Sequence, residues 1–309
     1  MLEVFLRTLP FFLLIGTGWA AGRTCFFPPE ATAWLTRFVF HFALSAMLFR
    51  FAATLDVAGL FDPAFVLAYL TGSSAVWILA FTVARRRREP SAAAAMQAHT
   101  AMTGNTGFLG VPMLVALLGP RAVGPVLMVL AIDMLVFSSL ITLIVTAARQ
   151  GRLAPATLLP LARGIAGNPM IVSMLAGLAW SGARLPMPGP LDAFLALLGA
   201  AATPGALFAI GAGLAGRGAE RLGPAVWLGF AKLVLHPLAV GIAALWVFDV
   251  GRDAAGVMIA AAALPVAGNV YMLAQYFGVA VQRVSAAILV STAAAILTLP
   301  VVIALAGHP

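Results

Sequence analysis

Apolar segments of about twenty residues follow one another along the whole of this chain, the length needed to cross the hydrocarbon core of a bilayer. Hydrophobic residues make up 62% of its 309 positions and charged residues 9%, where a soluble chain carries about a quarter charged. Mean hydropathy is +1.05. Hydropathy and helix punctuation predict an all-α membrane protein of ten spans. They run Val4–Ala21, Ala31–Ala53, Pro63–Ala84, Ser91–Leu118, Ala122–Ala148, Gly164–Trp180, Leu191–Ala215, Pro224–Phe248, Asp253–Phe277 and Val281–Ala306. The connections are too short for a soluble domain. The longest, residues 149–163, separates residues 1–148 from residues 164–309.

The formal net charge of +8 is spread through short loops, which favours membrane orientation over nucleic-acid binding. One set of loops holds Arg23, Arg85 to Arg88, Arg149, Arg152, Arg163, Arg217, Arg221 and Arg283. The other holds Arg7, Arg50, Arg121, Arg184 and Arg252 among Asp56, Asp62, Asp192, Asp249 and Asp253. The positive-inside rule makes the first set cytoplasmic, so both termini are expected outside the cytoplasm of a cell (inner) membrane. Leu9 to Ile15 followed by Ala20-Ala21 has the outline of a signal peptide. Glu3 offsets Arg7 in its n-region, so an uncleaved first helix is expected. Cys25 is the only cysteine, which rules out an intrachain disulfide and argues against a thiolate metal site.

Two runs break the apolar pattern. Gly104-Asn105-Thr106-Gly107-Phe108-Leu109-Gly110-Val111-Pro112 interrupts the fourth span, and Leu264-Pro265-Val266-Ala267-Gly268-Asn269-Val270-Tyr271 interrupts the ninth. Irregular backbone at membrane depth survives only where protein buries it or water reaches it. Paired interruptions in corresponding halves are the sequence mark of a transporter's binding site. Ser45-Ala46-Met47-Leu48-Phe49 is faintly similar to Pro204-Gly205-Ala206-Leu207-Phe208, and Gly104-Asn105 to Gly268-Asn269. Five spans plus five would invert the second repeat on the first, with the broken helices 4 and 9 crossing near the midplane.

The fourth-span run resembles the auxin efflux carrier family, whose bacterial members include carriers of malonate, malate and similar organic anions. Further matches are Asn168-Pro169, Pro204 through Gly211, Lys232 with Pro237, Ala261 through Pro265, Ala274 through Gly278, Ser291-Thr292 and Pro300. The resemblance implies a fold shared with the bile acid:sodium symporters. It also implies a scaffold domain from helices 1, 2, 6 and 7 and a mobile transport domain from helices 3–5 and 8–10. Members often carry Leu-Pro-Ala where this chain has Leu44-Ser45-Ala46, so Ser45 is expected to alter substrate contacts or helix bending. The short central loop sets the chain apart from plant members.

The expected function is secondary active transport of a small organic anion, a mono- or dicarboxylate such as malonate or malate, by elevator-type alternating access. Half-helix N-termini offer free N–H groups and partial positive charge to a carboxylate. Asn105, Thr106, Asn269, Tyr271, Ser45 and Lys232 are the candidate substrate ligands. Gly104, Gly107, Gly110, Pro112, Pro265 and Gly268 are expected to shape the breaks through their backbone. Asp133, deep in the fifth span, and Gln275 are candidates for a coupling proton or sodium ion. An Asp133–Lys232 salt bridge and capping of the broken ends by the asparagines are the structural alternatives. A sodium-coupled symporter of amphipathic organic acids is the rival function, and an intramembrane enzyme a remote one. His41, His99 and His236 lack metal-ligand spacing, and no Walker A run is present, so neither a metal nor another cofactor is expected. The expected partners are the anion, a coupling ion and membrane lipid, with a homodimer left open.

Overall fold

The fold is that of a computed structural model, which describes residues 2–55, 62–150, 166–215 and 222–306. Every regular element among them is helical. In chain order they are α1 (Leu2–Arg23), α2 (Pro29–Ala53), α3 (Pro63–Arg86), α4 (Ser91–Met102), α5 (Thr106–Leu118), α6 (Pro120–Ala148), α7 (Pro169–Gly182), α8 (Gly189–Ala215) and α9 (Gly223–Val247). The last three are α10 (Arg252–Ala262), α11 (Gly268–Phe277) and α12 (Val281–Ala306).

The expectation of ten membrane-spanning helices in two inverted five-helix repeats is corrected by these lengths. Among the described residues six helices are long and apolar enough to cross a membrane: α2, α3, α6, α8, α9 and α12. The expected fourth span is divided into α4 and α5, and the expected ninth into α10, with 11 residues, and α11, with 10. At about 1.5 Å per residue each piece covers only about half to two-thirds of a hydrocarbon core about 30 Å thick. The expected sixth span starts at Pro169, and α7 has only 14 residues. α1 is helical over 22 residues but stands outside the six. The chain is an all-α, multi-pass membrane protein with six long apolar helices.

Local chemistry explains where the helices begin. Asp62 accepts a 2.8 Å hydrogen bond from the Ala64 N–H, and Pro63 opens α3 at a position where no N–H is needed. Asn168 does the same for α7, its Oδ1 accepting from Met170 N at 3.0 Å, with Pro169 following. Gly119, in the left-handed region at φ 80°, ends α5 as Pro120 starts α6. The expected connection 149–163 lies outside the described residues except where helix continues to Gln150. Arg152, Arg163, Arg217, Arg221 and Asp56 also lie outside them, as does the side chain of Gln275.

Packing follows small residues, as it must where lipid gives helices no hydrophobic reason to associate. α1 lies against α8 so closely that a Cβ on Gly18 would collide with the Phe208 carbonyl, and one on Gly211 with that of Ile15. α2 packs on α7 and α8, while α3 packs on α4 and α9, and α12 on α9 and α10. Outward-facing apolar side chains such as Leu197, Trp246 and Leu305 are exposed, which suits a lipid-facing surface.

Candidate functional site

The two interruptions touch. Gly104 and Val266 form an antiparallel bridge, in which the Asn105 N–H donates to the Pro265 carbonyl at 2.9 Å and the Ala267 N–H to the Thr103 carbonyl at 3.2 Å. Backbone released by each break is thus satisfied by the other, which is how non-helical chain survives inside a buried core. Ser291 of α12 completes the exchange, its Oγ accepting from the Val266 N–H at 3.1 Å.

Both asparagines stand at the start of a second half-helix, Asn105 just before α5 and Asn269 in the first turn of α11. Asn105 does not cap its half-helix, since no side-chain cap bond forms there. Asn269 Oδ1 is buried and has no hydrogen-bond partner among the described residues. The bridge thus brings together the starts of two half-helices, whose first-turn N–H groups are the kind of donor that suits a carboxylate. A Cβ on Gly268 would meet nothing within 4 Å, so there is room beside Asn269. Tyr271 is half-buried in the same helix. Thr106 is buried, its hydroxyl 3.5 Å from the Gly104 carbonyl.

The remaining site residues take more particular places. A Cβ on Gly104 would lie 3.3 Å from Lys232 Nζ and 3.1 Å from the Ala261 carbonyl, so glycine is what lets the amino group reach the bridge. Gly107 and Gly110 lie within α5 as packing points rather than at the break. A Cβ on Gly107 would strike Met170, and one on Gly110 would come to 2.5 Å from Leu264 Cδ1. Pro112 also lies inside α5, after the π-helical turn Thr106–Gly110 in which the Asn105 carbonyl accepts from both Leu109 and Gly110. Lacking an N–H, it leaves the Phe108 carbonyl without its usual partner. Pro265 stands in the break itself. Ser45 donates to the Phe40 carbonyl at 3.0 Å, beside the π-turn Val39–Ala43 of α2.

Lys232 is fully buried and does not snorkel towards an aqueous face. Its Nζ donates to the Ala262 carbonyl at the C-terminal end of α10, where a cation complements the helix dipole. The Asp133–Lys232 salt bridge does not form: the ion pairs among the described residues are Arg50–Asp192, Arg121–Asp253 and Arg283–Glu89. Asp133 is placed mid-way along the 29-residue α6. Its Oδ1 accepts from the Tyr69 hydroxyl at 2.9 Å. Asp133 and Lys232 both lie in π-turns, Asp133–Phe137 and Ala231–Leu235, irregularities that recur at functional positions.

The sequence alone assigned no role to Tyr69, Ser73 or His236, which the fold gathers beside these two charges. The usable signal was spacing. Tyr69 and Ser73, and Lys232 and His236, are i,i+4 pairs and so share a helix face. Histidines sought only as metal ligands concealed it.

The model of a family described as membrane transport protein matches residues 3–157 and 156–303. A protein of Rhizobium meliloti (strain 1021) named "Putative malonate transporter" is 32% identical over 309 residues, covering 96% of this chain and 94% of that protein. The chain belongs to the membrane transport protein family, and it is a transporter, not an enzyme.

Proposed function

We propose that the protein is a secondary carrier of a small organic anion, a mono- or dicarboxylate of the malonate type, of the auxin efflux carrier kind that its motifs resemble. The observation that carries this reading is the bridge between the two interrupted helices, with Asn105 and Asn269 at the half-helix N-termini on either side of it. Such ends attract a carboxylate through dipole and free N–H groups. The malonate class is supported by the name of the relative. No separate energy-converting motif is needed: moving one elementary charge across 100 mV is worth about 2.3 kcal/mol. With the inside negative, that alone favours anion export, and import requires a cation or an exchanged anion.

Alternating access follows from relative motion of two bodies. α1, α2, α7 and α8 form the scaffold. The transport domain comprises α3 to α6 and α9 to α12, and it carries both breaks. The packing of α1 on α8 and α2 on α7, and of α3 on α4 and α9, supports this division. The arginine-rich loops lie in the cytoplasm of an inner-membrane protein, with both termini outside. In support, each of the three ion pairs joins residues assigned to the same side.

Counterflow of radiolabelled malonate in proteoliposomes, against a panel of organic acids, tests the proposal. Saturable exchange of malonate or a close analogue, inhibited by related dicarboxylates, is the expected result. Exchange of amphipathic acids alone would assign the site to another substrate class.

A further inference from the structure

A line of polar side chains crosses the core from α6 to the second break. Asp133 Oδ1 accepts from Tyr69 at 2.9 Å, and the Tyr69 ring packs 5.9 Å from that of His236. Ser73, one turn along α3 from Tyr69, lies 2.9 Å from His236 Nε2. His236 Nδ1 is 3.2 Å from Lys232 Nζ and 3.1 Å from the Ala262 carbonyl oxygen, to which Lys232 also donates. Asp133 is 3% exposed, and Tyr69, Ser73, Lys232 and His236 are each 0% exposed. Asp133 Oδ2 has no hydrogen-bond partner among the described residues.

We propose that this line is the coupling-ion site of the carrier and that the ion is a proton, held at Asp133 and sensed at the Ala262 carbonyl. The inference rests on the carrier reading above and names its coupling partner. A sodium ion needs several oxygen ligands at once. Here the oxygens, Asp133 Oδ2 apart, are already engaged: Asp133 Oδ1 meets a phenol spent as a donor, Ser73 Oγ meets His236 Nε2, and the Ala262 carbonyl accepts from Lys232. The ammonium repels a metal cation, and the side chains of the line can hold or pass a proton. A carboxyl group at this depth with one oxygen unpartnered is stable when it carries a proton and costly when it does not. On this proposal Asp133 carries its proton in the arrangement described.

The far end of the line explains how protonation reaches the break. His236 Nδ1 either accepts from the Lys232 ammonium or donates to the Ala262 carbonyl, and it cannot do both. With Asp133 neutral, nothing draws Lys232 away, and it fastens the end of α10 beside Gly104. When Asp133 releases its proton to water on one side, a negative charge faces the buried ammonium. Lys232 is drawn from the carbonyl and the meeting point of the two breaks loosens. Rebinding one proton from the other side restores the clasp. The proton thereby favours one arrangement over the other, which is what coupling requires. The other titratable groups of the packed helices are engaged elsewhere or exposed. His99 of α4 bonds Thr103, Arg283 of α12 pairs with Glu89, Arg121 of α6 with Asp253 of α10, and Arg252, Arg85 and Arg86 are exposed.

The test uses purified full-length protein in proteoliposomes, radiolabelled malonate, and a membrane potential clamped near zero. Malonate exchange without any gradient tests the carrier reading alone. An inward proton gradient should then accumulate malonate by about tenfold per unit of pH difference for one coupled proton and acidify the lumen, as seen with a trapped dye. A sodium gradient should accumulate none. In Asp133→Asn the accumulation ratio should fall to equilibrium in whatever exchange survives. In Tyr69→Phe the pH midpoint of uptake should move upward, because the lost phenol favoured the ionised carboxylate. A role confined to packing would not move that midpoint. Sodium-driven accumulation, or full proton-driven accumulation in Asp133→Asn, overturns the proposal. If malonate is not exchanged at all, the substrate reading fails, and infrared difference spectra of the same protein still decide the proton site. A carboxylic-acid carbonyl band that titrates, vanishes in Asp133→Asn and shifts in Tyr69→Phe supports it, and absence of that band overturns it.

Discussion

Asn105 and Asn269 occupy equivalent places, each at the head of a half-helix, but in different surroundings. Asn105 is 5% exposed, its backbone N–H donating to Pro265 across the bridge and its carbonyl accepting from Leu109 and Gly110 within α5. Asn269 holds a side-chain oxygen that meets no partner among the described residues. A buried amide left in this condition costs free energy unless another group completes it. A carboxylate cannot complete an oxygen, but a flip of the amide turns its NH₂ to that position, where it can donate to one. Replacing either asparagine by alanine should therefore weaken malonate binding by roughly 1–3 kcal/mol, about 5- to 150-fold. Calorimetry on purified, monodisperse variants measures this directly. Wild-type affinity in both would move the site away from the bridge.

The interrupted helices were legible in the sequence because Gly, Asn and Pro inside an apolar run have one main structural meaning. Their lengths were not. Hydropathy averages over a break, so Ser91–Leu118 and Asp253–Phe277 scored as continuous spans when each is two half-helices. Pro112 shows the same limit at closer range. The break falls at residues 103–105, and Pro112 lies inside α5 beyond a π-turn, whereas Pro265 stands in the bridge and its carbonyl accepts from Asn105. Partners supplied by distant helices, such as Ser291 on Val266 or Lys232 on Ala262, depend on tertiary packing that no local pattern encodes. These differences separate two substitutions that the sequence alone treated alike. Pro265→Ala permits α10 to continue through the break and should lower malonate binding and turnover together. Pro112→Ala restores an N–H to the Phe108 carbonyl inside an existing helix and should slow turnover with a smaller loss of binding. Equilibrium binding and exchange rates on both variants test the distinction, and equal losses in the two would contradict it.

At the scale of the whole molecule, orientation fixes which aqueous phase each loop meets, and so which face of the carrier a negatively charged substrate enters when the membrane potential drives it outward. The asymmetry of arginine is the sequence argument, and the ion pairs add a structural one. Arg50 on α2 meets Asp192 on α8 at 2.6 Å, Arg121 on α6 meets Asp253 on α10 at 3.5 Å, and Arg283 on α12 meets Glu89 after α3 at 2.6 Å. In each case both partners come from loops or helix ends assigned to the same face. Pairs at or near the surface contribute little stability, so their value here is geometric. In a Cys25→Ser background, a cysteine at Arg87, in the exposed arginine cluster after α3, should resist a membrane-impermeant thiol reagent in intact cells. One at Ala183, exposed beyond α7, should react within the same exposure. Permeabilising the cells should make both reactive, which separates shielding by the membrane from burial in the protein. Labelling at position 87 but not at 183 in intact cells would reverse the orientation. The direction in which the membrane potential drives the anion through the carrier would reverse with it.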